Sequence, residues 1–185
     1  MKLSLRAVLI GLVALVAIGG LISMLPATPN ASPSGSPSAS SNWFEGECKD
    51  QGGVTLVVDF GVASKKPALV RCAPAFFGTG WDVFAAAAVS VAGTNSYPSG
   101  FACRIADWPT VAEQSCADTP SYSQGHWAYF YALPKEPTLW TLSGAGAAMR
   151  TPECGSYEGW SFVEPGQNSG ANPPRLPANA QYCKD

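Results

Sequence analysis

Six cysteines in the second part of the chain constrain the fold of this 185-residue protein more than any other feature. An apolar N-terminal run and a Ser/Pro-rich spacer precede all of them. An even number of thiols after such segments is typical of an exported domain, where cysteines pair and stay oxidised. We therefore predict a disulfide-stapled domain outside the cytoplasm. The cysteines are Cys48, Cys72, Cys103, Cys116, Cys154 and Cys183.

The N-terminal segment, residues 1–25, has the pattern of an export signal. Lys2 and Arg6 precede an apolar stretch that continues to about Leu25. A cleaved signal peptide and a retained signal anchor both fit, because the run reaches the roughly 17 to 25 residues that span a bilayer. In either case the rest of the chain is exported, and we expect it to contact a membrane only through this segment.

Composition divides the remaining chain into three parts. Residues 26–42 form a Ser/Pro-rich linker without the apolar side chains that folding requires. Residues 43–163 carry the strand and helix patterns of one folded domain, and residues 164–185 form a Pro/Asn/Gly-rich tail that we expect to be extended and tethered by a disulfide at Cys183. Without Lys2 and Arg6, nine basic residues face 13 acidic ones, a net charge of −4. This balance argues against a nucleic-acid partner.

The hydrophobic pattern of the domain predicts an α+β fold. Residues 54–60 alternate as a strand does, and residues 68–72 follow after a turn, so the two should pair as a hairpin. Residues 81–88 (WDVFAAAA) read as a helix with Asp82 in its first turn. Further strands are predicted at 89–94, 101–105, 126–132, 139–142 and 157–163, with 126–132 central because both of its faces are apolar. One helix across a mixed sheet is the expected arrangement.

The cysteines can pair in many ways, and the sequence alone does not choose among them. Chain order favours Cys48 with Cys72, Cys103 with Cys116, and Cys154 with Cys183. A zinc site is disfavoured because the chain has one histidine and no Cys-x-x-Cys pair. We expect no cofactor.

Several motifs resemble a known family. In chain order they are GVTLVVDFG, VRCA, GWDVFAAAAVSVAGT, GFACRI, SCADTP, HWAYFYA, LWTLSGAGAA and YEGWSF. Their order and spacing from about Gly53 to Phe162 resemble a family of exported actinobacterial proteins, which are similar to the C-terminal, β-grasp-like domain of transcobalamin. The resemblance implies a β-grasp-like mixed sheet with one helix packed across it. It also implies a domain that closes over a corrinoid held by a separate helical partner, which this sequence does not contain.

The residues that could act in catalysis do not form a familiar constellation. His126 is the one histidine, no serine lies in a nucleophile-elbow pattern, and the acidic residues are scattered among the elements. We therefore predict a non-enzymatic binding module for a small, corrinoid-like molecule. Trp108, Trp127 and Tyr129 are the candidate ligand-binding residues, because exposed aromatic side chains stack on flat ligands. The other interpretation places Trp127 and Tyr129 in the sheet core and has Trp108 pack locally in its loop. A surface domain that contacts another envelope protein, without a small ligand, is the alternative.

Overall fold

The computed structural model describes residues 42–49 and 52–183. The predicted signal peptide or anchor (1–25) and almost all of the predicted linker (26–42) lie outside the described residues. Within the part of the chain that is described, no helix combines the length and the apolar character needed to cross a bilayer.

The regular structure of the described residues consists of eight strands and one α-helix. In chain order these are β1 (Phe44–Glu45), β2 (Val54–Asp59), β3 (Leu69–Ala73), α1 (Asp82–Ala86), β4 (Val91–Gly93), β5 (Ala102–Ile105), β6 (His126–Ala132), β7 (Thr141–Leu142) and β8 (Tyr157–Val163). Short 3-10 turns at Tyr122–Gln124, Ala147–Met149 and Ser169–Ala171 complete the set. The predicted α+β class is confirmed.

Six strands form one mixed sheet in the order β1-β3-β2-β8-β6-β7. The central strands β2 and β8 run parallel, whereas all other neighbours are antiparallel. The predicted hairpin of β2 and β3 is confirmed, and β6 is an interior strand as its two apolar faces indicate. Strands β4 and β5 pair separately, with a bulge between Ala92 and Gly93. The sheet is mixed because β2, its first long strand, pairs in parallel with β8, its last, at the centre.

One face of the sheet packs against α1. Alternate residues of a strand point to opposite faces, so Leu56 and Val58 of β2 reach the same side as Trp160 of β8. These side chains join Val83 and Phe84 of the helix in one buried cluster. The C-terminal end of the helix lies beside β3. The Arg71 guanidinium of β3 donates there to the carbonyls of Ala87 and Ala88, which directly follow the helix. The helix ends at Ala86, two residues before the predicted end, because Ala88 takes a positive φ of 52°.

The C-terminal segment, residues 164–183, covers part of the opposite face. Leu176, Ala178 and Ala180 pack there against Val57 and Tyr157 in a second buried cluster. The prediction that a disulfide tethers this tail is therefore incomplete, because buried apolar contacts hold it as well. Such contacts escaped the sequence analysis because the tail has no hydrophobic period.

Trp140 ties the tail to the strands beneath it. Its indole N–H donates to the carbonyl of Leu176 at 2.9 Å. Its ring lies above Gly159 of β8, where an added Cβ would come within 2.5 Å of the indole. A glycine in the middle of a central strand is therefore required by the close approach of this ring.

Three disulfides join Cys48 to Cys72, Cys103 to Cys116, and Cys154 to Cys183. The pairing favoured by chain order is thus confirmed for all six cysteines. The first bond links the entry of the domain to β3, the second closes the loop after β5, and the third closes the tail onto the turn before β8. Three such bonds are consistent with an extracytoplasmic location.

Candidate functional site

A cavity of about 270 Å³ opens on the helix-bearing face of the sheet, between strands β6 and β8 and two loops. The strands contribute Trp127, Tyr129 and Trp160. The loops contribute Phe101 and otherwise small residues, from 100–102 at the start of β5 and from 143–147 after β7. The 143–147 stretch forms one wall of the cavity.

The aromatic wall of this cavity follows from strand register. Tyr129 lies opposite Trp160 and Trp127 lies opposite Phe162 in the antiparallel pairing of β6 with β8. The rings of Tyr129 and Trp160 stack at 4.8 Å between centroids, and Trp127 meets Phe162 edge to face at 5.4 Å. Cross-strand aromatic pairs of this kind stabilise a sheet and fix the orientation of each ring.

Two indole N–H groups in this wall lack an acceptor. Trp127 and Trp160 are only 5% and 3% exposed, and neither Nε1 atom has a hydrogen-bond partner among the residues that the structure describes. Leaving a buried donor unpaired costs on the order of 1–3 kcal/mol, so such atoms deserve an explanation.

A buried polar network supports the wall from below. Glu158 of β8 is fully buried and receives four hydrogen bonds. The donors are the Tyr129 hydroxyl, the Ser156 hydroxyl, and Nε and Nη2 of Arg150, the last at 3.0 Å from Oε1. Each carboxylate oxygen therefore has two donors, and the network fixes the phenol ring that lines the cavity.

The protonation states of this network follow from burial. Burial raises the pKa of the Glu158 carboxyl, and the charge and hydrogen bonds of Arg150 offset that rise only in part. Burial and the adjacent Glu158 carboxylate also raise the pKa of the Tyr129 hydroxyl. Burial lowers the pKa of Arg150, but the attraction of Glu158 outweighs it and the net shift is upward. Tyr129 thus stays a neutral donor, and Arg150 stays a cation.

The loops that carry Arg150 are pinned to the start of the helix. The backbone N–H of Gly80 donates to the Arg150 carbonyl at 2.8 Å, and that of Trp81 donates to the Ala147 carbonyl at 3.2 Å. Gly80 lies against the Tyr129 hydroxyl, where an added Cβ would collide with it. The cavity, the network and the helix start therefore form one connected unit.

The structure brings together two of the three predicted ligand-binding residues. Trp127 and Tyr129 line the cavity and are buried, as the prediction of a place in the sheet core requires. Trp108 lies elsewhere, half-buried in the turn after β5, with its ring edge to face on Phe162 at 6.3 Å. The Lys66 ammonium lies 5.9 Å from the centre of the Trp108 ring.

Sequence reasoning missed Trp160, Glu158 and Arg150 as site residues. A usable signal was present in β8, where Glu158 shares a face with Trp160 in a strand whose other residues are mostly apolar. A charged residue in that position must find a partner. The identity of the partner depends on the loop that carries Arg150.

His126 lies at the start of β6, away from the cavity wall. Its Nε2 lies 2.7 Å from the Ser169 hydroxyl of the C-terminal segment, and burial lowers its pKa. This contact gives His126 a structural role, because it links the start of β6 to the C-terminal segment.

No cluster of three or more His, Cys, Asp or Glu side chains that could hold a metal ion occurs in residues 42–49 and 52–183. Comparison with known proteins adds no relative. No protein-family model, no curated protein and no solved structure matches this chain, so the resemblance to transcobalamin-type domains stays a prediction.

Proposed function

We propose that this domain is a non-enzymatic, extracytoplasmic binding module that holds a small molecule in the cavity between Trp127 and Trp160. The observation that carries the proposal is the cavity itself, lined by Trp127, Tyr129 and Trp160. Two of these residues also hold buried indole N–H donors that have no acceptor among the described residues. A binding site typically combines apolar walls with a few polar groups that fix the orientation of the ligand. Here the aromatic rings are the wall, and the indole N–H groups are the orienting donors.

The network around Glu158 also supports binding over catalysis. All of its carboxylate contacts are taken by Arg150, Tyr129 and Ser156. A general base needs a lone pair directed at the substrate. In the proposed module, Glu158 instead acts as a rigid support for the Tyr129 ring.

The finer proposal is that the fold is β-grasp-like and that the ligand is a corrinoid shared with a separate helical partner. Small-molecule sites commonly enclose roughly 300–1,000 Å³. A cavity of about 270 Å³ is just below this range and would take only one edge of a molecule as large as a corrinoid. That size supports a capping role, in which the partner encloses the remainder.

Titration calorimetry with cobalamin and cobinamide, with and without a helical corrinoid-binding partner, tests the finer proposal. Heat only when partner and corrinoid are both present is the expected result, and silence in every combination eliminates the corrinoid version. Native mass spectrometry of the protein from its own host tests the broader version, since a retained small molecule is expected.

Substitutions in the cavity wall localise any binding. Trp127→Phe and Trp160→Phe keep an aromatic ring and remove one N–H each, so each should weaken binding about tenfold, the effect of one hydrogen bond of about 1.4 kcal/mol. Trp43→Phe, next to β1, is the matched control and should bind normally. Equal affinity in all three variants would place the ligand elsewhere.

Contact with another envelope protein is the second candidate function. Phe77 is 93% exposed and Met149 is 82% exposed, and Met149 closely follows the loop that lines the cavity. Large exposed apolar side chains are typical of interaction surfaces when they cluster. Crosslinking in the host envelope tests this function. It should capture a protein partner with the original protein, and the variants Phe77→Ser and Met149→Ser should each lose that partner.

A further inference from the structure

A second cavity, of about 320 Å³, lies on the opposite face of the sheet. Its walls are mainly aliphatic, with Val57 of β2, Val70 of β3, and Leu176 and Pro177 of the C-terminal segment. Val57 belongs to the cluster that the tail covers, so the sheet itself separates this cavity from the one at Trp127. The two cavities are therefore independent.

The polar end of the second cavity consists of a phenol and a carboxylate. Tyr157 is 2% exposed, and its hydroxyl lies near enough to the Glu47 carboxylate and the Thr55 side chain to interact with both. Glu47, in the segment after β1, lines the same cavity. Burial and then the nearby Glu47 charge raise the pKa of Tyr157, which keeps the phenol neutral. A neutral hydroxyl can accept a hydrogen bond as well as donate one.

We propose that this cavity binds a small alkylammonium or arylammonium ion, with the hydrocarbon between Val57 and Leu176 and the ammonium group beside Glu47 and Tyr157. An ammonium carries a positive charge and three donors, so it can bond to the Glu47 carboxylate and balance its charge. A neutral alcohol would bind between the same apolar walls without balancing the Glu47 charge. A carboxylate of the same length would be repelled by Glu47.

Titration of the oxidised full-length protein with hexylammonium, hexanol and hexanoate tests this proposal. Hexylammonium should bind at least tenfold more tightly than hexanol, and hexanoate should give no signal. Glu47→Gln should reduce the affinity for hexylammonium to that for hexanol. Glu153→Gln, which changes an exposed acid outside the cavity, is the matched control and should bind as the original protein does.

A second variant fills the cavity without touching its charge. Val70→Phe, at a half-buried wall position, should abolish binding of both hexylammonium and hexanol while the protein unfolds at a similar urea concentration. Trp127→Phe, on the other face, should leave this binding unchanged. Equal affinity for the three ligands, no binding at all, or full binding by Glu47→Gln would each overturn the proposal.

Discussion

The Arg175 guanidinium, in the C-terminal segment, forms an ion pair with the buried carboxylate of Asp59 at the end of β2. Nη2 of Arg175 lies 2.5 Å from Oδ1, and Nε lies 2.8 Å from Oδ2 of the same carboxylate. The backbone N–H of Arg175 donates to Oδ2 as well, at 2.8 Å. Asp59 is 1% exposed, so this cation is what makes a charge at that position tolerable. The pair joins residues 116 positions apart and fixes the tail across the sheet.

Replacing Arg175 by Met should therefore lower the free energy of unfolding by about 2 kcal/mol. The loss is below the 3–5 kcal/mol of a fully buried pair because the Arg175 side chain is half exposed. Urea unfolding at pH 7 measures it. Lys135→Met removes an exposed cation without a buried partner and should change little.

The same pair makes stability depend on acid. Burial pushes the pKa of Asp59 upward, but the hydrogen bonds from Arg175 and Gly61 outweigh this and hold it below its ordinary value of 3.8. A lowered pKa contributes stability that is present above pH 3.8 and is lost as the pH falls through the folded value. The destabilisation in Arg175→Met should thus shrink steadily below pH 3.8, and an unchanged difference down to pH 2 would contradict this assignment.

Removing Arg150 should be more damaging, because its partner Glu158 has no exposed surface. Arg150→Met should cost about 3 kcal/mol at pH 7. Burial raises the pKa of Glu158, so its buried charge destabilises the folded protein only above about pH 4.5. This destabilisation grows as the pH rises to the pKa of Glu158 in the folded state. Urea unfolding of Arg150→Met at pH 4 and pH 7 tests this dependence, and the larger loss in free energy of unfolding is expected at pH 7. Adding Glu158→Gln to Arg150→Met should recover part of the stability at pH 7, since no buried charge then remains.

The Cys154–Cys183 disulfide should stabilise the fold more than the Cys103–Cys116 disulfide. The bonded residues are 29 positions apart in the first case and 13 in the second, and a longer loop restricts the unfolded chain more. Loss of the bond by paired Cys→Ser substitution should cost about 3.6 kcal/mol and about 2.9 kcal/mol respectively. Urea unfolding ranks the two variants. Limited proteolysis should cut the tail only in the first, and a tail that stays protected would show that Asp59 and Trp140 hold it unaided.

The turn after β5 offers a stabilising change. Ala106 and Asp107 both adopt positive φ, 47° and 61°, and Ile105 and Trp108 exchange two backbone hydrogen bonds around them. This is the pattern of a type I′ turn, for which Asn-Gly is the favoured pair. Ala106→Asn with Asp107→Gly should raise the free energy of unfolding by about 1 kcal/mol. Ala106→Val should lower the free energy of unfolding, because a branched side chain disfavours positive φ. Thermal unfolding of both variants tests whether the first is stabilised and the second destabilised.

Much of the fold could be predicted because its elements carry local patterns. The alternation of β2, the hairpin with β3 and the two apolar faces of β6 depend on residues that are neighbours in the chain, so periodicity indicates them. The disulfides followed chain order because each bond links segments that are close in sequence. The α+β class follows from the same local patterns.

What only the tertiary structure decided are the contacts between distant segments. The sequence shows that Asp59 and Glu158 lie in apolar strands, which requires partners, but it does not identify them. Arg175 and Arg150 became those partners because the folded chain brings the tail across one face and a loop against the other. The sequence by itself determined an oxidised, sheet-rich domain with one short helix in its described part. The two cavities arise from register and loop placement, since charge pairing and close packing act through space and not along the chain.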